Sequence, residues 1–182
     1  MHELTVCFDP GKHTYGIAMF DGRRMIALDT RSVHSRARPV DEQEMHWRVG
    51  RDAFGWVNQV RDMHAAMAHS PTQNAASVRV IVEWPRIYDN GDGSKDPNAL
   101  LWLCASIGAF ASHFSTPPIH VAPAAWKGQV PKEVMTSRIL KRFACDPQEW
   151  ILCETLEKLR GTKAHHALDA AGMGLWASGR MG

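Results

Sequence analysis

The chain has 182 residues, 45% of them hydrophobic, which suits one packed domain and excludes a disordered tail. A formal net charge of +2 neither announces nor excludes nucleic acid, because a basic face can lie opposite an acidic one. No apolar run reaches the roughly eighteen residues of a membrane helix, and Met1-His2-Glu3 leads straight into a strand without a signal-peptide pattern. The four cysteines, Cys7, Cys104, Cys145 and Cys153, form no C-x-x-C pair and read as reduced thiols of a cytoplasmic protein.

In chain order, apolar alternation predicts three strands over about 4–9, 15–20 and 25–30, with Asp21-Gly22 as the turn between the second and third. This is an antiparallel meander. A basic loop, 31–39, leads to a long helix over about 41–69, whose stripe is Met45, Val49, Phe54, Val57, Val60, Met63 and Met67. Val78 to Glu83 is a β-branched strand. The Gly- and Asp-rich stretch 84–97 is long enough for a functional loop. An apolar helix over about 98–114 stops at Pro117-Pro118, residues 119–121 form a fifth short strand, and helices follow over about 131–144, 147–159 and 165–178. No repeat or linker interrupts the chain, so 1–182 reads as a single domain with a mixed α/β sheet covered by helices.

Three acids stand where a core would not ask for them. Asp9, in Asp9-Pro10-Gly11, ends the first strand, Glu83 ends the fourth, and Asp169 lies in an otherwise small and apolar helix, His165-His166-Ala167-Leu168-Asp169-Ala170-Ala171. If strands one and four are neighbours, Asp9 and Glu83 leave the sheet at one edge, and an acid on a helix across that edge completes a cluster. Carboxylates at that range repel and raise each other's pKa unless cations lie between them. Hard divalent ions with oxygen ligands suit such a cluster, and a pair of them can drive phosphodiester hydrolysis. Taken singly, each acid has an ordinary explanation: turn chemistry for Asp9, a solvated strand end for Glu83, an arginine partner for Asp169.

Asp9-Pro10-Gly11 with Gly16-Ile17-Ala18, the strand ending in Glu83, and the late His166-x-x-Asp169-Ala170 together resemble the RuvC-type Holliday-junction resolvases of the RNase H-like superfamily, over nearly the whole chain. The resemblance implies an RNase H-like fold, a five-stranded mixed sheet with its first three strands antiparallel and flanking helices. It implies a homodimeric endonuclease that uses Mg²⁺ or Mn²⁺, two ions per site, to nick two opposed strands of a four-way DNA junction and leave 5′-phosphates. Asp9, Glu83, His166 and Asp169 become the metal ligands and catalytic residues. One helical turn puts His166 and Asp169 on one face, and His165, four residues before Asp169, can reach that face too.

The family also carries two lysines between the fifth strand and the next helix. Lys127 and Lys132 match them, more closely spaced than in many members, with Lys132 as a further catalytic residue. Cations there hold the backbone and neutralise charge that develops at the cut phosphate. Arg36, Arg38 and Lys95 are further phosphate contacts, and Tyr88 a base-stacking aromatic beside Trp84, although Arg86 holds the family's usual position for that aromatic. Arg138, Lys141 and Arg142 read equally as solvated helix charges. Leu101 or Trp102 corresponds to the family's dimer interface. Branch migration would need separate proteins, and small size with a divergent pattern fits a phage or prophage member. The rival readings are a nuclease for RNA–DNA hybrids or other branched DNA, a junction-binding protein that does not cut, and an actin-like nucleotide binder, for which the further Gly-rich loops are lacking.

Overall fold

The computed structural model describes residues 3–11, 13–33, 42–67, 77–85, 97–157 and 162–181. Strands β1 (Glu3–Asp9), β2 (Thr14–Asp21) and β3 (Arg24–Ser32) form the antiparallel meander, and Gly22 takes a positive φ of 57° at the turn between the last two. Glycine adopts that conformation without a Cβ clash. Strand β4 (Ser77–Glu83) pairs in parallel with β1, and β5 (Ile119–Val121) in parallel with β4, giving the order β3-β2-β1-β4-β5.

Residues of a strand alternate between faces, and here the two faces carry separate cores. Leu4, Val6 and Phe8 of β1, Tyr15, Ile17 and Met19 of β2, and Val80 and Val82 of β4 pack against helices α1 (Glu42–Met67) and α2 (Pro97–Ala111). Cys7, Ala18, Phe20 and Ile81 face the other way, toward α3 (Pro123–Lys127), α4 (Lys132–Phe143), α5 (Pro147–Glu157) and α6 (Thr162–Ala177). The same alternation assigns Asp9 and Glu83, two residues after Cys7 and Ile81, to the α6 side.

The expected elements are present with small shifts at their ends. Helix α2 stops at Ala111, because His113 and Phe114 donate to the carbonyls of Phe110 and Ala111 in a tightened last turn. Helix α6 begins at Thr162, before its expected start. Helix α3 was not expected: five residues opened by Pro123 are too few to show a period. The α1 stripe also differs. Val49, Ala53, Trp56, Val57 and Val60 are buried, whereas Met63 and Met67 are exposed. Ala53 and Trp56 were missed because alanine is neutral in a hydrophobic count and a tryptophan one position off the stripe reads as flanking. Among the described residues, no helix is long and apolar enough to cross a membrane.

Candidate active site

Parallel pairing of β1 with β4 sets Phe8 opposite Val82, so the next residues, Asp9 and Glu83, leave the sheet side by side at its C-terminal edge. Helix α6 crosses that edge and brings Asp169 and His166. Glycines make the approach possible. A Cβ on Gly16 would lie 1.9 Å from the His166 carbonyl oxygen, and one on Gly11 would lie 3.0 Å from the His166 ring. At Gly16 the nearest atoms all belong to α6, whereas Gly11 is hemmed in first by the Thr14 carbonyl oxygen of its own turn, 2.1 Å from such a Cβ.

Nδ1 of His166 donates to Oδ2 of Asp9 at 2.6 Å, since a carboxylate can only accept. Burial alone would lower the His166 pKa, but this bond and the Asp9 charge raise it above the ordinary histidine value, with Asp169 adding to the rise. His165 points elsewhere: its Nδ1 is buried without a hydrogen-bond partner, and burial with the charges of Lys132 and His166 lowers its pKa. Geometry therefore brings His166, rather than its neighbour, to Asp9.

Glu83 and Asp169 share one cation. Nζ of Lys127 lies 3.4 Å from Glu83 Oε2 and 3.6 Å from Asp169 Oδ2. The indole Nε1–H of Trp126 donates to the same Glu83 oxygen at 2.9 Å. Burial, then the nearby Asp9 and Asp169 charges, pushes the Glu83 pKa up to about 7 against the pull of Lys127. Asp169 is raised for the same reasons, burial first and then Asp9. Lys127 is raised as well, the three carboxylates outweighing its own burial. Lys132, exposed at the start of α4, is near enough for its charge to act on Asp169 and His166.

Among the described residues, no three His, Cys, Asp or Glu side chains already converge as a metal-holding group. Lys127 and His166 act as counter-ions within the cluster instead. The chemistry of the donors nevertheless fits a hard divalent cation. Three buried or half-buried acids from separate elements supply oxygens, and the raised pKa values of Glu83 and Asp169 report negative charge in need of more neutralisation.

The sequence thus named the acids that meet here, and His166 and Lys127 beside them. Arg36, Arg38, Lys95 and Tyr88 lie outside the described residues, as does Arg86. Trp84 is partly exposed directly after Glu83, its ring edge-on to His120 at 4.4 Å. Leu101 is exposed, whereas Trp102 stacks on His46. Trp126 was missed, although a tryptophan directly before a lysine already singled out was the available signal.

The five-stranded mixed sheet in the order β3-β2-β1-β4-β5, flanked by helices, is the RNase H-like fold seen in RuvC. The chain aligns with the Thermus thermophilus RuvC structure at a TM-score of 0.56 and 16% identity, covering 97% of each chain. It also aligns with T. thermophilus RuvC in complex with Holliday junction substrate, at a TM-score of 0.51 and 14% identity, over 98% of each. At such identities the likeness is one of fold. No protein-family model and no curated protein matches the sequence.

Proposed function

We propose that this protein is a metal-dependent, structure-selective endonuclease that resolves four-way DNA junctions by paired symmetric nicks. The observation that carries the reading is the meeting of Asp9, Glu83 and Asp169, from β1, β4 and α6, on a RuvC fold, with Lys127 bridging two of them. The neighbour solved with Holliday junction substrate supports the choice of substrate.

Asp9, Glu83 and Asp169, with His166 behind Asp9, would hold Mg²⁺ or Mn²⁺, two ions in the reading proposed here. Bound there, the metal would supply an activated water and charge neutralisation at the leaving oxygen, which would give 5′-phosphate ends. His166 fixes the Asp9 carboxylate through Oδ2 and does not engage Oδ1. Lys127 and Lys132 hold the scissile phosphate, and a lysine that already seeks anions beside the acids suits that task. Arg36, Arg38, Lys95 and Tyr88 extend the DNA contact. A homodimer sets two such sites against two opposed strands, with exposed Leu101 as a contact between copies.

The test is cleavage of a labelled synthetic four-way junction with Mg²⁺ or Mn²⁺, beside linear duplex, a flap and an RNA–DNA hybrid, with Asp9→Asn in parallel. Symmetric cuts in the junction alone, lost in Asp9→Asn, are expected. A junction bound but left intact with either ion would replace the nuclease reading with a binding module. Preference for the hybrid or flap would keep the site and change the substrate.

A further inference from the structure

Trp126 is 4% exposed, and its indole N–H is spent on Glu83 Oε2 at 2.9 Å. We propose that Trp126 is the positioning residue of the metal site: it ties Oε2 of Glu83 to the protein, so that Glu83 offers its other oxygen, Oε1, to the cation. This deepens the nuclease reading and rests on it.

Two donors converge on Oε2, Trp126 and Lys127, and they differ in kind. An indole N–H donates only, carries no charge and keeps its proton at any working pH. Its bond to Glu83 is therefore compatible with a cation beside the carboxylate. The Lys127 ammonium bears the same sign as a metal ion, so a cation entering the cluster weakens its hold on Glu83 and Asp169. Lys127 also lies 4.8 Å from the centre of the Trp126 ring, a surface on which an ammonium keeps favourable company when its carboxylates are taken. Trp126 thus holds the ligand while Lys127 is released toward the phosphate.

Packing fixes the ring. A Cβ on Gly172 would lie 2.5 Å from Trp126 Cζ3 and 2.8 Å from Ile139 Cδ1, so this glycine opens the slot that the indole occupies. Gly172 follows Asp169 by three residues on α6, which puts the slot one turn from that carboxylate, on the same face. A single rigid ring therefore spans from the helix of Asp169 to the side chain of Glu83 and sets the separation of the two acids. Partners behind a metal ligand typically change metal affinity or activity about ten- to a hundred-fold when removed.

Trp126→Phe keeps the ring and deletes the N–H. Three quantities would be measured on wild type and variant: Mn²⁺ binding by calorimetry without DNA, junction affinity in Ca²⁺, and kcat with KM for junction cleavage. Mn²⁺ affinity should fall about ten-fold or more and kcat with it, with junction affinity and KM within two-fold of wild type. In a Glu83→Ala background the same change should have no further effect on Mn²⁺ binding, because the residue acts through Glu83. A measurement on the wild-type protein covers the case in which Trp126→Phe does not fold. The indole ¹⁵N–¹H resonance of Trp126 should resist solvent exchange with and without Mg²⁺, and lose part of that protection in Glu83→Ala, which removes the acceptor. Wild-type Mn²⁺ affinity and kcat in Trp126→Phe, or an indole proton that exchanges freely once Mg²⁺ is bound, would overturn the positioning role alone. A wild-type protein that neither binds Mn²⁺ nor cuts any junction would overturn the nuclease reading and this role together.

Discussion

Gly16 and His166 touch backbone to backbone: the strand residue has no side chain, and the helix carbonyl fills the place where a Cβ would stand, 1.9 Å from it. This contact lets α6 lie on β2 closely enough for His166 to reach Asp9 at 2.6 Å. Gly16→Ala must therefore push the helix outward or unfold the edge. An overpacked core position costs about 1–3 kcal/mol, and more where backbone is the obstacle. The expected result is a Tm lowered by several degrees together with junction cleavage reduced at least ten-fold, read by thermal denaturation and a cleavage time course. Full activity in a protein of normal Tm would mean that the helix does not need this approach.

Stability should depend on pH in a direction the site dictates. Glu83 is raised from 4.5 to about 7 in the folded protein, and Asp169 is also raised. Each group then binds its proton more tightly when folded, so the stabilisation is full below the unfolded value and is lost as pH rises through the folded one. His166, raised above 6.5 by Asp9, acts with the same sign. In EDTA, Tm should fall between about pH 4.5 and pH 7 as Glu83 ionises, Glu83→Gln should flatten that fall, and Mg²⁺ at pH 7.5 should restore part of it. A Tm that climbs with pH over this window in EDTA would contradict the buried carboxylate cluster.

Lys127→Met removes the cation between Glu83 and Asp169 while keeping most of the stem. Hydrogen bonds to charged groups contribute about 1.5–3 kcal/mol, so the metal-free protein should lose stability of that order. With Mg²⁺ bound the loss should shrink, since the metal takes over the neutralisation. Denaturation in EDTA and in Mg²⁺ tests the difference, and equal losses in both would argue that Lys127 stays on the carboxylates throughout.

A half-buried ion pair far along the chain from Asp9 locks the C-terminal turn. Glu149, 1% exposed, accepts from Arg180 at 2.7 Å through both oxygens and from the backbone N–H of Met25 at 2.7 Å. Glu149→Ala removes these bonds to a charged group, each contributing about 1.5–3 kcal/mol, and leaves Arg180 partly in solvent with its bond to the Arg23 carbonyl. Tm should thus fall by at least about 3–12 °C for a chain of this size. Because the pair lies outside the site, cleavage below the new Tm should stay within a few-fold of wild type, as a rate at low temperature would show.

By itself, the sequence determined the elements other than α3 and the identity of the acids. Alternation with period two and a helical stripe are local patterns, and they specify which face each residue takes. Asp9, Glu83 and Asp169 stood out because they break those patterns. Gly16 could be quoted as part of a motif, but its reason, the clearance for α6, belongs to a contact between residues far apart in the chain. Tertiary structure alone decided that His166 rather than His165 meets Asp9, a bond spanning 157 residues of sequence. It alone put Lys127 between two acids and Trp126 behind Glu83. Such convergence depends on how closely two packed layers approach and on the rotation of a helix by one residue, about 100°, and neither quantity is written in any local pattern.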